Sequence, residues 1–447
     1  MKLPFWRPDR GATRPPPRAG LLERYGADAL ALAEAVDLDL DELPALAAKA
    51  PPFILSPGRG SCNWYLQDVG AVSVGGMMTA FRIADQLKST RGVHQRFLIC
   101  GRAELQAIAT RVLAAFPGLK GSEFIALDSA EKLAGIPPAD IGVATLWTTA
   151  YVLARVTNCA RKMYLIQDFE PLFYPAGSTS AQAELTYRFG FEGLCNTEPL
   201  KAIYQDRYGG EAVAFTPQID RKIFYPGPAE QRWPRARVFF YARPNNPRNA
   251  FELSAAALKR LKHRLGSSVE ILCAGAEFDP KAYGLDGVVE PLGWLPYEQT
   301  GELYRTCHVG LSSMLTPHPS YLPFELMACG ALVVALRNEA NDWLLEDGVT
   351  CLIAEASASS LAAKLFQAVT GWEEHAALRA NAARTVSRLA GHGWTSELAS
   401  VVAFMTRLTE ASELQPTVSK PGRSPSLPSR RVEAASRGEG DRGTRKS

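Results

Sequence analysis

The chain has 447 residues, enough for two domains with full cores, and at 47% hydrophobic and 21% charged it has the composition of a soluble globular protein. The net charge of +3 is unevenly spread: residues 1–20 carry five basic side chains against Asp9, and residues 412–447 carry eight basic against four acidic, which leaves the middle acidic. An acidic middle argues against a nucleic-acid-binding core, which would show a basic face. The basic ends read either as solvated tails or as segments suited to an anionic membrane surface.

The eight cysteines stand singly with no C-x-x-C pair, so no zinc or redox motif is present. Several lie in apolar strand-like runs, which fits a reducing cytoplasm. The N-terminus lacks the apolar stretch of a signal peptide, and no apolar run approaches the ~18 residues needed to span a bilayer.

Residues 1–20 read as a flexible basic arm, and residues 21–50 as two short helices, LLERYGADALALAEAV and LDELPALAAKA. Asp37, Asp39, Asp41 and Glu42 resemble calcium ligands only superficially. They lack the loop glycine and the acid at position twelve, so helix capping is the better reading. Apolar strands then alternate with helices: PFILSP, the helix GGMMTAFRIADQLKSTRG, RFLICG, the helix ELQAIATRVLAAF, then IGVATLW, KMYLIQD, GLCNT and AVAFTP. Short apolar strands separated by helices predict a parallel sheet covered on both faces. The Pro-rich segment DRKIFYPGPAEQRWPRA (220–236) breaks the pattern as an interdomain linker. A second series follows, with strands RVFFYAR, VEILCAG, HVGLSS, ALVVAL and TCLIAE. The expected fold is therefore α/β, with two doubly wound Rossmann-like domains facing a cleft. The predicted parts are 21–225, 226–395, a closing helix at 396–411, and a disordered basic tail at 412–447.

In open α/β sheets, ligands sit beyond the carboxyl ends of the strands, so the loops there are the ones to inspect. In FFYARPNNPRNAFEL, Arg243 and Arg248 lie five apart between a strand and a helix. Two guanidiniums beside a helix N-terminus suit a diphosphate, though two surface arginines would give the same pattern. In SSMLTPHPSYLPFELMACGALVVA, Pro323 opens a helix and Glu325 falls in its first turn. Glu325 either ties up backbone N–H groups or accepts hydrogen bonds from a ligand diol. His318 is either bonded to backbone or a ligand contact. In YLIQDFEPLFYPAGS, Asp168 and Glu170 follow a strand among aromatics, as in a carbohydrate platform or an ordinary capped loop. Gly75 and Gly76 permit close backbone approach at a helix N-terminus. A dinucleotide fingerprint after a strand, a P-loop, and a D-x-D in a metal-site context are all missing, so nicotinamide and P-loop chemistry are unsupported and no metal ligand is assigned.

Together these loops resemble glycosyltransferases of the GT-B fold, in the large retaining group called family 4. The resemblance rests on Arg243 with Arg248 at the family's offset, on ELMACGALVVA, on TPQIDRKIFYP at the domain junction, and on VVEPLGWLPYEQTGELYRTCHVGLSSM. It covers residues 52–410. The family's E-x7-E motif is incomplete: Glu325 matches its second acid, while Pro317 stands where the first belongs. QDFEPLFYPAGS, AELTYRFGFEGL, RPNNPRNAFEL and TPHPSYLPFE further resemble WsaF-type bacterial rhamnosyltransferases of surface polysaccharide synthesis.

The resemblance implies a metal-independent hexosyltransferase that needs no cofactor. It would use a nucleotide sugar, dTDP-L-rhamnose, and a glycan or lipid-linked glycan acceptor, with retention. Arg243 and Arg248 would neutralise the diphosphate, helped by backbone N–H groups around Ser320 and Tyr321. Glu325 would hold the ribose, Gly293 and Trp294 the base, and His318 the sugar. Asp168 or Glu170 would serve the acceptor, past Gly75 and Gly76. The protein would be cytoplasmic, with peripheral contact at the inner membrane face through its basic ends. A UDP- or GDP-hexose donor, or a nucleotide-sugar-binding scaffold without catalysis, are the alternatives.

Overall fold

The computed structural model describes residues 27–53, 55, 58–67, 75–227 and 235–407. The basic arm, the basic tail and part of the linker lie outside the described residues. Two parallel sheets form the frame. The first contains β1 (Ser61–Leu66), β2 (His94–Cys100), β3 (Glu123–Leu127), β4 (Ala139–Ala144), β5 (Cys159–Ile166), β6 (Glu192–Asn196) and β7 (Ala212–Phe215), in the order β3-β2-β1-β4-β5-β6-β7. The second contains β8 (Ala236–Tyr241), β9 (Val269–Ala274), β10 (Glu290–Pro291), β11 (Val309–Ser312), β12 (Leu332–Leu336) and β13 (Leu352–Ala354), in the order β10-β9-β8-β11-β12-β13.

Both orders reverse direction in the middle, between β1 and β4 and between β8 and β11. Each sheet is thus doubly wound, as the strand-helix alternation requires. The strands are apolar runs rather than alternating ones because helices cover both faces. β12 shows this most plainly, with all five residues buried. Each sheet accordingly separates two apolar cores, one per face.

Three strand expectations change. The first strand is SCNWYL, not PFILSP: Phe53 and Leu55 lie outside any strand and pack beside the core. β1 carries polar Ser61 and Asn63, which disguise it, but Asn63 bonds the Pro137 carbonyl and Ser61 bonds Asp140. β3 and the two-residue β10 are edge strands that the apolar pattern did not single out.

Two late helices, Gly393–Glu397 and Ala399–Thr406, return to the first sheet. Leu398, Val401, Val402 and Met405 are buried in the same core as Trp64 and Phe81. Arg161 on β5 secures the crossing, donating to the Met405 carbonyl at 2.8 Å while paired with Glu192. No helix among the described residues is long and apolar enough to cross a membrane.

Candidate active site in the cleft between the sheets

The reversal in the second sheet makes the loops after β8 and β11 diverge to opposite sides, leaving a crevice between them. The loop after β8 carries Arg243 and Arg248. The loop after β11 carries His318 and Ser320 and feeds helix Leu322–Ala328. Pro323 sits in the first turn of that helix, where no N–H is needed. The helix lies close on the sheet because β11 has Gly310 at its centre: a Cβ there would stand 2.3 Å from Leu326 Cδ1. That packing aims Glu325 into the crevice.

The cleft is lined from the second sheet's side by Tyr241, Arg243, Trp294, Ser320, Tyr321 and Glu325, and from the first sheet's side by Met78 and Arg82. Arg243 donates to the Tyr241 hydroxyl at 3.1 Å and lies 5.9 Å from the centre of the Trp294 ring. Trp294 is half exposed. Gly293 is outside the lining; it holds the Trp294 loop in place, with φ +63 and its carbonyl accepting from the Gly275 N–H at 3.0 Å. Burial pushes the Glu325 carboxyl up to about 8, and the positive charge of Arg82 pulls the other way. The site therefore offers a fixed guanidinium, an exposed indole face and a desolvated carboxyl, the groups that suit a diphosphate, a flat ring and a diol.

Several expected residues stand elsewhere. Arg248 does not share one wall with Arg243: its guanidinium donates to Asp168 at 2.6 Å and lies 4.0 Å over the Phe173 ring. Asp168 is 3% exposed and accepts as well from Thr316 at 3.0 Å and the Phe169 N–H at 2.8 Å. Glu170 is remote from solvent at 2% exposure, and its Oε2 accepts from the Trp147 N–H and the Tyr164 hydroxyl, each at 2.6 Å. It anchors the start of helix Trp147–Arg155 from within an aromatic core, so it does not face the cleft as an acceptor-side acid. Burial raises it to about 8.

Gly75 and Gly76 do open helix Gly75–Arg91. The close approach at Gly76 is made by Gln167, whose amide donates to the Gly76 carbonyl at 3.0 Å. Ser320 adopts φ +68, and its N–H is spent on His318 Nδ1 at 3.0 Å, so that N–H does not face a diphosphate. The same bond fixes the tautomer of His318, leaving the proton on Nε2, which is buried without a partner among the described residues. Burial holds this ring neutral, pushed down to about 4. Tyr321 contributes its hydroxyl, which meets Thr79 at 2.8 Å and the Asn196 amide at 3.2 Å.

The sequence reading missed Met78, Thr79, Arg82 and Asn196. The spacing was there to see: Gly75, Met78, Thr79 and Arg82 fall on one helical face, at offsets of three, four and seven.

The WsaF N-terminal domain model matches residues 69–195, and the WsaF C-terminal domain model matches residues 236–366. They follow in order and together take in more than half of the chain. An O-antigen biosynthesis protein of Myxococcus xanthus, RfbC, is 43% identical over 344 residues, which is 76% of this chain. The chain spans about a quarter of that protein's length, 26%. Among solved structures, Anabaena Alr3699/HepE in complex with UDP and glucose matches 77% of this chain and all of its own, with TM-score 0.61 at 15% identity. S. aureus TarM matches with TM-score 0.61 at 8% identity, covering 78% of this chain and 100% of its own. WaaG, a glycosyltransferase involved in lipopolysaccharide biosynthesis, matches with TM-score 0.53 at 14% identity, covering 77% and 99%. These structural likenesses carry the fold alone; the two domain models carry the family. The chain belongs to the WsaF family and has the GT-B fold.

Proposed function

We propose that this protein transfers L-rhamnose from dTDP-L-rhamnose to a growing surface glycan, with retention and without a metal ion. The observation that carries the donor reading is Arg243 and Glu325 lining one crevice at the carboxyl ends of the second sheet. Arg243 would neutralise the diphosphate as it leaves, the point at which fixed positive charge stabilises a transition state most. Glu325 would bind the ribose hydroxyls, and Trp294 would cover the base. The O-antigen relative supports a polysaccharide product.

A UDP-hexose donor is the second reading, favoured by the UDP and UDP-glucose held in the HepE structures. Titration with dTDP, UDP and GDP, followed by release of nucleoside diphosphate from each sugar form, separates the two. A ligand at about 100 times its Kd adds about 2.7 kcal/mol of stability, a shift easily seen by thermal melting. Tighter binding and faster turnover of a UDP-sugar would reject the rhamnose donor. Contact of the basic ends with an anionic membrane is part of the same proposal, tested by vesicle sedimentation with and without residues 412–447.

A further inference from the structure

We infer that Arg82, on helix Gly75–Arg91 beside the first sheet, supplies the second positive charge for the donor's diphosphate, across the cleft from Arg243. This deepens the donor reading and rests on it. What it adds is that the diphosphate is held from both sheets rather than from one.

The need for a second charge is chemical. A sugar nucleoside diphosphate carries a negative charge on each phosphate, and a charge taken out of water needs its own compensation. The loop after β8 offers Arg243 and Arg248, but Arg248 is committed elsewhere. It pairs with Asp168 at 2.6 Å and lies 4.0 Å over the Phe173 ring. Among the described residues, the cationic side chains that line the cleft are Arg243 and Arg82.

The helix puts Arg82 there. Phe81, Ile83 and Ala84 are buried in the core under the first sheet, so Arg82 between them turns outward and is half-buried. Its guanidinium lies 4.7 Å from the centre of the Trp394 ring. An indole face fixes a guanidinium without neutralising it. One turn on, the Gln86 amide donates to the Thr395 carbonyl at 2.7 Å, which braces the same helix against helix Gly393–Glu397.

The second sheet's loop comes to meet this face. Thr79 stands three residues before Arg82, and its hydroxyl meets that of Tyr321 at 2.8 Å. The Tyr321 ring centre is 6.3 Å from that of Trp394. The turn that leads into helix Leu322–Ala328 is therefore held against the helix face that carries Arg82. Glu325 is the acid on that wall, and it feels the charge of Arg82, but no ion pair joins them. Arg161, Arg237 and Arg248, by contrast, each have a carboxylate partner. Arg82 and Arg243 thus bring two charges to one open cleft from two sheets, which suits a dianion between them.

The test is equilibrium titration of the full chain with thymidine, dTMP and dTDP, and with uridine and UDP in parallel. Arg82→Met keeps an apolar stem against Trp394 and removes the charge. Its thymidine affinity is expected to stay within about two-fold of wild type, and its dTDP affinity to fall about ten- to hundred-fold. Arg82→Lys keeps the charge and is expected to recover most of that loss. Both variants should melt close to the wild type, because no carboxylate is left without its partner.

Unchanged dTDP affinity in folded Arg82→Met overturns the inference. So does an equal loss for thymidine and dTDP, which would place Arg82 on the nucleoside side through Glu325. Arg82→Lys binding dTDP as weakly as Arg82→Met overturns a role of its charge. A wild type that prefers UDP to dTDP rejects the thymidine donor instead, and the uridine and UDP comparison then decides on Arg82 by the same criteria. Binding of neither diphosphate by the wild type rejects the donor reading and this inference together.

Discussion

Arg248 and Asp168 are 80 residues apart in sequence, yet the arginine donates to the aspartate at 2.6 Å and so ties the loop after β8 to the loop after β5. Thr316 reaches the same carboxylate oxygen at 3.0 Å from the loop after β11. One buried carboxylate therefore gathers three loops from two sheets. Removing one member of a buried pair leaves the other uncompensated. Asp168→Asn should lower stability by roughly 2–4 kcal/mol in urea titration. It should leave dTDP affinity within about two-fold, because Arg248 stands apart from the wall that carries Arg243. Clearly tighter dTDP binding in a folded Asp168→Asn protein would show that a released Arg248 does reach the diphosphate.

Glu170 has a different expected behaviour. Its folded carboxyl titrates near 8, against 4.5 for an ordinary glutamate. As pH rises the unfolded chain gives up this proton first. The stability contributed by the protonated form is thus complete below about 4.5 and is lost as pH rises to about 8. Glu170→Gln keeps an oxygen for the Trp147 N–H and Tyr164 hydroxyl and has nothing to ionise. It should stabilise the protein at pH 8 by on the order of 2 kcal/mol and leave turnover within about two-fold. A drop in turnover of a hundred-fold or more would reinstate Glu170 as a catalytic acid or base.

Glu325 shares the raised value of about 8, but it faces the cleft. A ribose diol binds best to the ionised carboxylate, so donor binding should expel a proton below pH 8, and affinity should rise as pH approaches that value. Calorimetry at pH 7 in two buffers of different ionisation enthalpy reads this directly. Proton release near zero, or an unchanged pH profile in Glu325→Gln, would remove Glu325 from the ribose.

The frame and the cleft wall that carries Arg243 and Glu325 were legible in the sequence because both are local. Apolar runs mark strands buried on two faces, and Pro323 with Glu325 marks a helix start beside a strand end. Arg243 was legible for the same reason, lying two residues past β8. What stayed hidden depended on long-range pairing. The partner of Arg248 is Asp168, and no spacing announces a contact across 80 residues. Glu170 looked like an acid on an open loop because the aromatics that bury it come from three other elements. β1 was misplaced because Ser61 and Asn63 are polar, although their hydrogen bonds to neighbouring segments make them compatible with a buried strand.

The central claim is that Arg243 stabilises a departing diphosphate in the cleft it shares with Glu325. The direct measurement is steady-state release of dTDP from dTDP-L-rhamnose, with a glycan acceptor present, by wild type and Arg243→Ala. Loss of one fixed charge on the leaving group should cut turnover by about 10²–10³-fold, with the fold and melting temperature retained. Turnover by Arg243→Ala close to that of the wild type would contradict the account.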